Sequence, residues 1–156
     1  MKNILYIIAI LITSTTYSQD YVSLKKSDTI YVLFKGKKNE RKSIQPQTKY
    51  NYDDRVYSFF IFDQESLDLY HRKYSSYENS VANIVSDVKV VNKSFIKKNK
   101  AKIITPKFIK KKNLCKIVAE ILNHHRVIYI IDCTEKKENK IKLYEVEVGT
   151  ICRGDG

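Results

Sequence analysis

The 156-residue chain carries 29 lysines and arginines against 17 acidic side chains, a net charge of +12. Apolar residues at 43% and aromatics at 12% exclude an intrinsically disordered chain. The length suits one domain whose core needs no metal or dense disulfide network.

Met1, Lys2 and Asn3 form a short basic start, Ile4 to Ile12 is an almost unbroken apolar run, and Thr16 and Ser18 are small residues where a signal peptidase reads. Residues 1–18 therefore read as an export signal, with cleavage after Ser18 and Gln19 as the new amino terminus. The run is too short to span a bilayer of about 30 Å, and no cysteine follows it for lipid attachment. Removing residues 1–18 takes away one lysine and no acid, so the mature 138 residues carry 28 basic and 17 acidic side chains, a net +11. The expected location is a periplasm or the cell exterior, with no transmembrane segment in the mature chain.

Strands are expected next. TIYVLFK at 29–35 is β-branched and aromatic and ends at Gly36, and RVYSFFIFD at 55–63 is apolar on both alternating sets. DQES at 63–66 turns the chain into LDLYHRKY, where Leu67, Leu69 and His71 alternate with Asp68, Tyr70 and Arg72, so a hairpin follows. The polar stretch from Gly36 is long for a structureless loop and leaves room for an edge strand around Arg41 to Ile44. Val81, Ile84, Val85 and Val88 are spaced for one helical face. Phe95-Ile96, Ile103-Ile104 and Phe108-Ile109 interrupt a lysine run at uneven intervals. This predicts two short helical pieces, with Thr105 as cap and Pro106 as first helical residue.

Asn113 is a good cap for a helix whose buried stripe is Leu114, Ile117, Val118, Ile121 and Leu122. His124, His125 and Arg126 sit where that helix ends and complement its last carbonyls. VIYIID at 127–132 reads as a central strand, and KIKLYEVEV at 140–148 as its hairpin partner. Ile141 and Leu143 share one face while Val146 and Val148 share the other, so a bulge is expected near Tyr144 and Glu145. The order predicts an α+β domain over residues 19–156: a mainly antiparallel sheet of about five strands with helices packed on one face.

Charge is segregated. From Val88 to Ala119 there are eleven lysines and no acid, while the rest of the mature chain balances 17 basic against 17 acidic residues. Lys93, Lys97, Lys98, Lys100, Lys102, Lys107, Lys110, Lys111 and Lys112 are the candidate binding residues. They suit an anionic envelope polymer or lipid headgroups, and nucleic acid without sequence reading. The plainer alternative is a solvated surface in a lysine-rich chain shaped by AT-rich codons. The tyrosines and phenylalanines from Tyr50 to Tyr77 form either core and cross-strand pairs or an exposed platform for an inhibitor-type protein contact.

Three cysteines in an oxidising compartment invite a disulfide. A helix packed antiparallel on the strand it feeds favours Cys115 with Cys133. Neither a CxxC pair nor separated histidines supports zinc, and no cofactor motif is present. The best enzymatic alternative is a secreted nuclease-like hydrolase using Glu120, His124 and Arg126, since four-residue spacing permits contact on one helix. A cysteine hydrolase using Cys133 and His125 would need protection from oxidation. The Arg153-Gly154-Asp155 tripeptide at the chain end is a chance-level adhesion match. The sequence reading therefore favours a small exported non-catalytic binding module.

Overall fold

The computed structural model describes residues 21–47, 52–62, 65–72, 87–111, 113–122 and 126–149. Helix α1 (Tyr21–Lys26) leads into strand β1 (Thr29–Phe34), then β2 (Glu40–Gln47), β3 (Tyr52–Phe62) and β4 (Glu65–His71). After β5 (Val88–Asn92) come α2 (Ser94–Lys98), a 3-10 turn (Lys100–Lys102), the short β6 (Ile103–Ile104) and α3 (Pro106–Lys111). Helix α4 (Leu114–Ile117) runs on as a π-helical turn over Val118–Leu122, and β7 (Val127–Lys137) and β8 (Lys140–Val148) complete the order. The expected export signal and cleavage point, His124, His125, Cys152 and the terminal tripeptide all lie outside the described residues. No helix among the described residues is long and apolar enough to cross a membrane.

The sheet corrects the expected fold class. Among the described residues it has eight strands rather than about five, in the order β2-β3-β4-β8-β7-β1-β6, with β5 paired to β8. It is mixed: β1 runs parallel to both β7 and β6. Those parallel pairs join residues far apart in sequence, where periodicity carries no pairing information. Val88, read as part of a helical face, opens β5, because pairing with β8 outweighs the apolar spacing that suggested a helix. The remainder of that expected helix lies outside the described residues. Ile103 and Ile104, assigned to a helical piece, instead form β6 against β1.

Helices cover both faces, not one. Alternation along β1 sends Ile30, Val32 and Phe34 to the larger core, shared with Leu24 of α1, Phe108 and Ile109 of α3, and the stripe of α4. Leu33 turns the other way, with Ile103, Tyr129, Ile131, Ile141 and Leu143, and there Phe95 and Ile96 of α2 pack against the sheet. The same alternation runs unbroken through β8. Its register with β7 is continuous from Val146 to Lys142, so there is no bulge at Tyr144 or Glu145. The pattern that suggested one is that of a strand buried on both faces. The irregularity lies in β7, where residues 133–136 stand opposite Ile141 alone.

Local capping follows the sequence. Asn113 Oδ1 accepts the Lys116 amide at 2.9 Å, and Thr105 Oγ1 accepts the Phe108 amide at 3.3 Å with Pro106 next in line. The β2-β3-β4 meander joins the remaining strands at a narrow seam, Leu69 opposite Val148 and Tyr70 opposite Glu147. Gly149 closes that seam: its amide donates to the Asp68 carbonyl at 2.9 Å, and a Cβ here would stand 1.7 Å from Tyr70 Cε2. The ring cannot yield freely, since the Arg72 guanidinium lies over it at 4.3 Å. Gly149→Ala is expected to lower stability by about 1–3 kcal/mol, read as a lower urea midpoint. An unchanged midpoint would show that the ring swings aside without loss.

Candidate functional site

Where the meander curls over the larger core, the apolar packing gives way to a cluster of charges. Alternation along β7 places Asp132 on the same face as Ile128 and Ile130, and it is fully buried at 0% exposure. The β7 irregularity brings Thr134 and Glu135 to that side as well. From the meander come Lys42 on β2 and Arg55 and Tyr57 on β3; Tyr144 and Lys142 come from β8.

Lys42 Nζ donates to Asp132 Oδ2 at 2.9 Å, to Thr134 Oγ1 at 2.9 Å and to Glu135 Oε1 at 3.0 Å. Tyr57 donates to Asp132 Oδ2 at 3.1 Å, and the Thr134 amide and hydroxyl donate to Asp132 Oδ1 at 2.8 and 2.6 Å. Arg55 pairs with Glu135 Oε1, while Tyr144 and Lys142 reach Oε2 at 2.5 and 3.3 Å. The Arg55 guanidinium also lies 4.6 Å from the Tyr144 ring centre. Overhead, Gly36 adopts a left-handed φ of 66° and passes so near Thr134 that a Cβ would meet its methyl at 2.8 Å.

The electrostatics follow from these contacts. Burial pushes the Glu135 carboxyl up, but hydrogen bonds from Tyr144 and Lys42 and the nearby Arg55 charge outweigh it and hold the group at about 2. Burial raises the Tyr57 and Tyr144 hydroxyls, and their carboxylate partners raise them further. Burial lowers the His71 imidazole, which sits edge-on to Tyr144 at 5.1 Å with Nδ1 2.8 Å from the Glu145 carbonyl. Two carboxylates matched to Lys42 and Arg55, with each oxygen already hydrogen-bonded, make a structural clasp between meander and central sheet. Asp132 is sealed, while the Lys42 and Glu135 side chains stay 17% and 21% exposed.

Sequence reasoning missed this cluster, because Lys42 and Arg55 lie 80 or more positions from their carboxylates. One signal was present: an aspartate closing the all-apolar run VIYIID marks a carboxylate entering the core.

The expected binding lysines lie elsewhere. Lys97 and Lys98 are exposed on α2, Lys100 and Lys102 on the 3-10 turn, and Lys107, Lys110 and Lys111 on α3. Lys112 is outside the described residues. Lys93 is set apart, beside Lys136 of the β7–β8 hairpin, and the neighbouring ammonium lowers its pKa. Among the described residues, no carboxylate stands within ion-pairing distance of Lys97, Lys98, Lys102, Lys107, Lys110 or Lys111. Nearby acids are already taken: Glu120 holds Lys25, Lys116 at 3.8 Å and the Tyr21 hydroxyl at 2.8 Å.

That engagement also bears on the nuclease alternative. The Arg126 guanidinium donates to the Leu24 carbonyl at 2.7 Å, to that of Lys25 and, at 3.4 Å, to that of Ile121. It ties the ends of α1 and the π-helical turn together. The expected Cys115–Cys133 disulfide is not formed, and Cys133 is a free thiol. Helix α4 does cover β7, but Cys133 lies on the opposite face, packed against the smaller core. Burial pushes its thiol up, away from nucleophile behaviour. Of the aromatic residues from Tyr50 to Tyr77, Tyr57 and Phe59 are core residues, Tyr70 lies under Arg72 and Phe60 is exposed, while Tyr50, Tyr74 and Tyr77 and the side chains of Tyr52 and Phe62 lie outside the described residues.

Comparison with known proteins finds no matching family model, no similar curated protein and no similar solved structure.

Proposed function

We propose that the chain is an exported, non-catalytic module that binds an anionic partner through the lysines of α2, the 3-10 turn and α3. The observation that carries this reading is the lack of pairing. Six of these side chains are exposed with no carboxylate of the described residues in reach, whereas Lys42, Arg55 and Lys142 are absorbed by the clasp. A solvated cationic surface attracts polyanions by releasing their counterions, without reading a sequence.

The test is binding of a sulfated polysaccharide across a salt series. Affinity is expected to fall linearly in log–log form, and Lys107→Gln with Lys110→Gln to weaken binding by about 2 kcal/mol, or about thirtyfold. Lys137→Gln with Lys140→Gln, at the tip of the β7–β8 hairpin, serves as the charge-matched control. Equal losses in both pairs, or binding indifferent to salt, would reject the reading.

A further inference from the structure

Resting on that reading, we infer that the partner is a flexible linear polyanion that wraps the β6 edge of the sheet, rather than a planar anionic membrane.

The argument is topological. Strand β6 is the last strand of the sheet on its side. The chain enters it from α2 and leaves it into α3, and the two helices pack on opposite faces: Phe95 and Ile96 in the smaller core, Phe108 and Ile109 in the larger. With their apolar sides turned toward each other through the sheet, the helices carry Lys97 and Lys98 outward on one face and Lys107 and Lys110 outward on the other. Lys102, exposed on the 3-10 turn, bridges them at the rim. The positive charge is thus a band around an edge, not a flat patch.

A packed layer adds about 10 Å on each side of a sheet, so the two helical lysine sets stand roughly 20 Å apart. Screening at physiological salt extends about 8 Å. A plane resting on one helix leaves the other more than two screening lengths away, and a plane against the rim meets only the bridging turn closely. A flexible chain suffers no such restriction. It can follow the band from α2 over the rim to α3 and engage the exposed lysines of both helices in one binding event.

The experiment compares inorganic polyphosphate of graded chain length with phosphatidylserine-containing vesicles, using the full chain and two variants. One is Lys97→Gln/Lys98→Gln, the other Lys107→Gln/Lys110→Gln, all at exposed positions, with circular dichroism confirming the fold. Long polyphosphate is expected to bind one to one, and each variant to weaken it by about thirtyfold. Chains too short to round the rim are expected to bind much more weakly, with two accommodated per molecule, one on each helix. Vesicles are expected to bind less tightly than long polyphosphate and to respond to one variant only. Long-chain binding that ignores the α2 variant overturns wrapping while leaving a cationic α3 surface intact. Vesicle binding that needs both helices overturns it in favour of a membrane. If neither probe binds, the proposed function falls together with this inference.

Discussion

Replacing Asp132 with alanine is expected to cost about 3–5 kcal/mol, the usual range when one partner of a buried ion pair is removed. The loss has three sources. Lys42 Nζ keeps only Thr134 and Glu135 as acceptors, the Tyr57 hydroxyl loses its carboxylate, and the Thr134 amide and hydroxyl lose theirs. A buried donor left without an acceptor retains its full desolvation penalty. Asp132→Asn keeps an oxygen for some of these donors and is expected to lose less. The double variant Lys42→Met/Asp132→Leu removes the cation together with the anion and is also expected to fall short of the alanine loss. Urea denaturation measures all three, and a loss below about 1 kcal/mol for Asp132→Ala would mean that the clasp does not hold the meander in place.

The second large effect is acid sensitivity with a defined window. Glu135 normally titrates near 4.5 and is held at about 2 in the fold. Between those values the unfolded chain takes up a proton that the folded chain excludes. Its contribution is therefore complete above pH 4.5 and lost as pH falls through about 2, up to about 3 kcal/mol in all. His71 acts with the same sign but earlier. Burial holds its imidazole below 6.5, so the unfolded state binds the proton first and stability begins to decline once pH drops below 6.5. Glu135→Gln is expected to flatten the profile between pH 4.5 and 2 while leaving the His71 slope in place. A wild-type curve with no slope below pH 4.5 would contradict the geometry around Glu135.

What the sequence made legible was local. Asn113 and Thr105-Pro106 announce helix starts because a cap needs only residues within one turn, and both caps form. The alternation of Leu67, Leu69 and His71 appears directly as burial along β4. The stripe from Leu114 to Leu122 is buried as its spacing requires. What depended on distant partners was not legible. The Cys115–Cys133 pairing assumed correctly that the helix lies over the strand it feeds, but single-residue parity sent the thiol to the far face. Val88 reads with Val81, Ile84 and Val85 as one helical face because apolar spacing over so few residues does not separate a helix from the start of a strand, and the pairing of β5 with β8 joins residues about fifty positions apart. The lysines were visible as a cluster, but their division between two faces of a sheet depends on β6, a strand of two residues.

The placement of β1 also determines how the molecule must assemble. It lies between β6 and β7, with Thr29 opposite Val127, 98 positions later. An early segment thus sits one strand in from the sheet's edge, and its long partner β7 is made about a hundred residues later. Nearly the whole polypeptide has to be present before that pairing can close, and such long-range closure is slow. A nascent or shortened chain ending before Val127 would carry TIYVLF with one long edge unpaired, a self-association hazard that only the finished C-terminal hairpin removes.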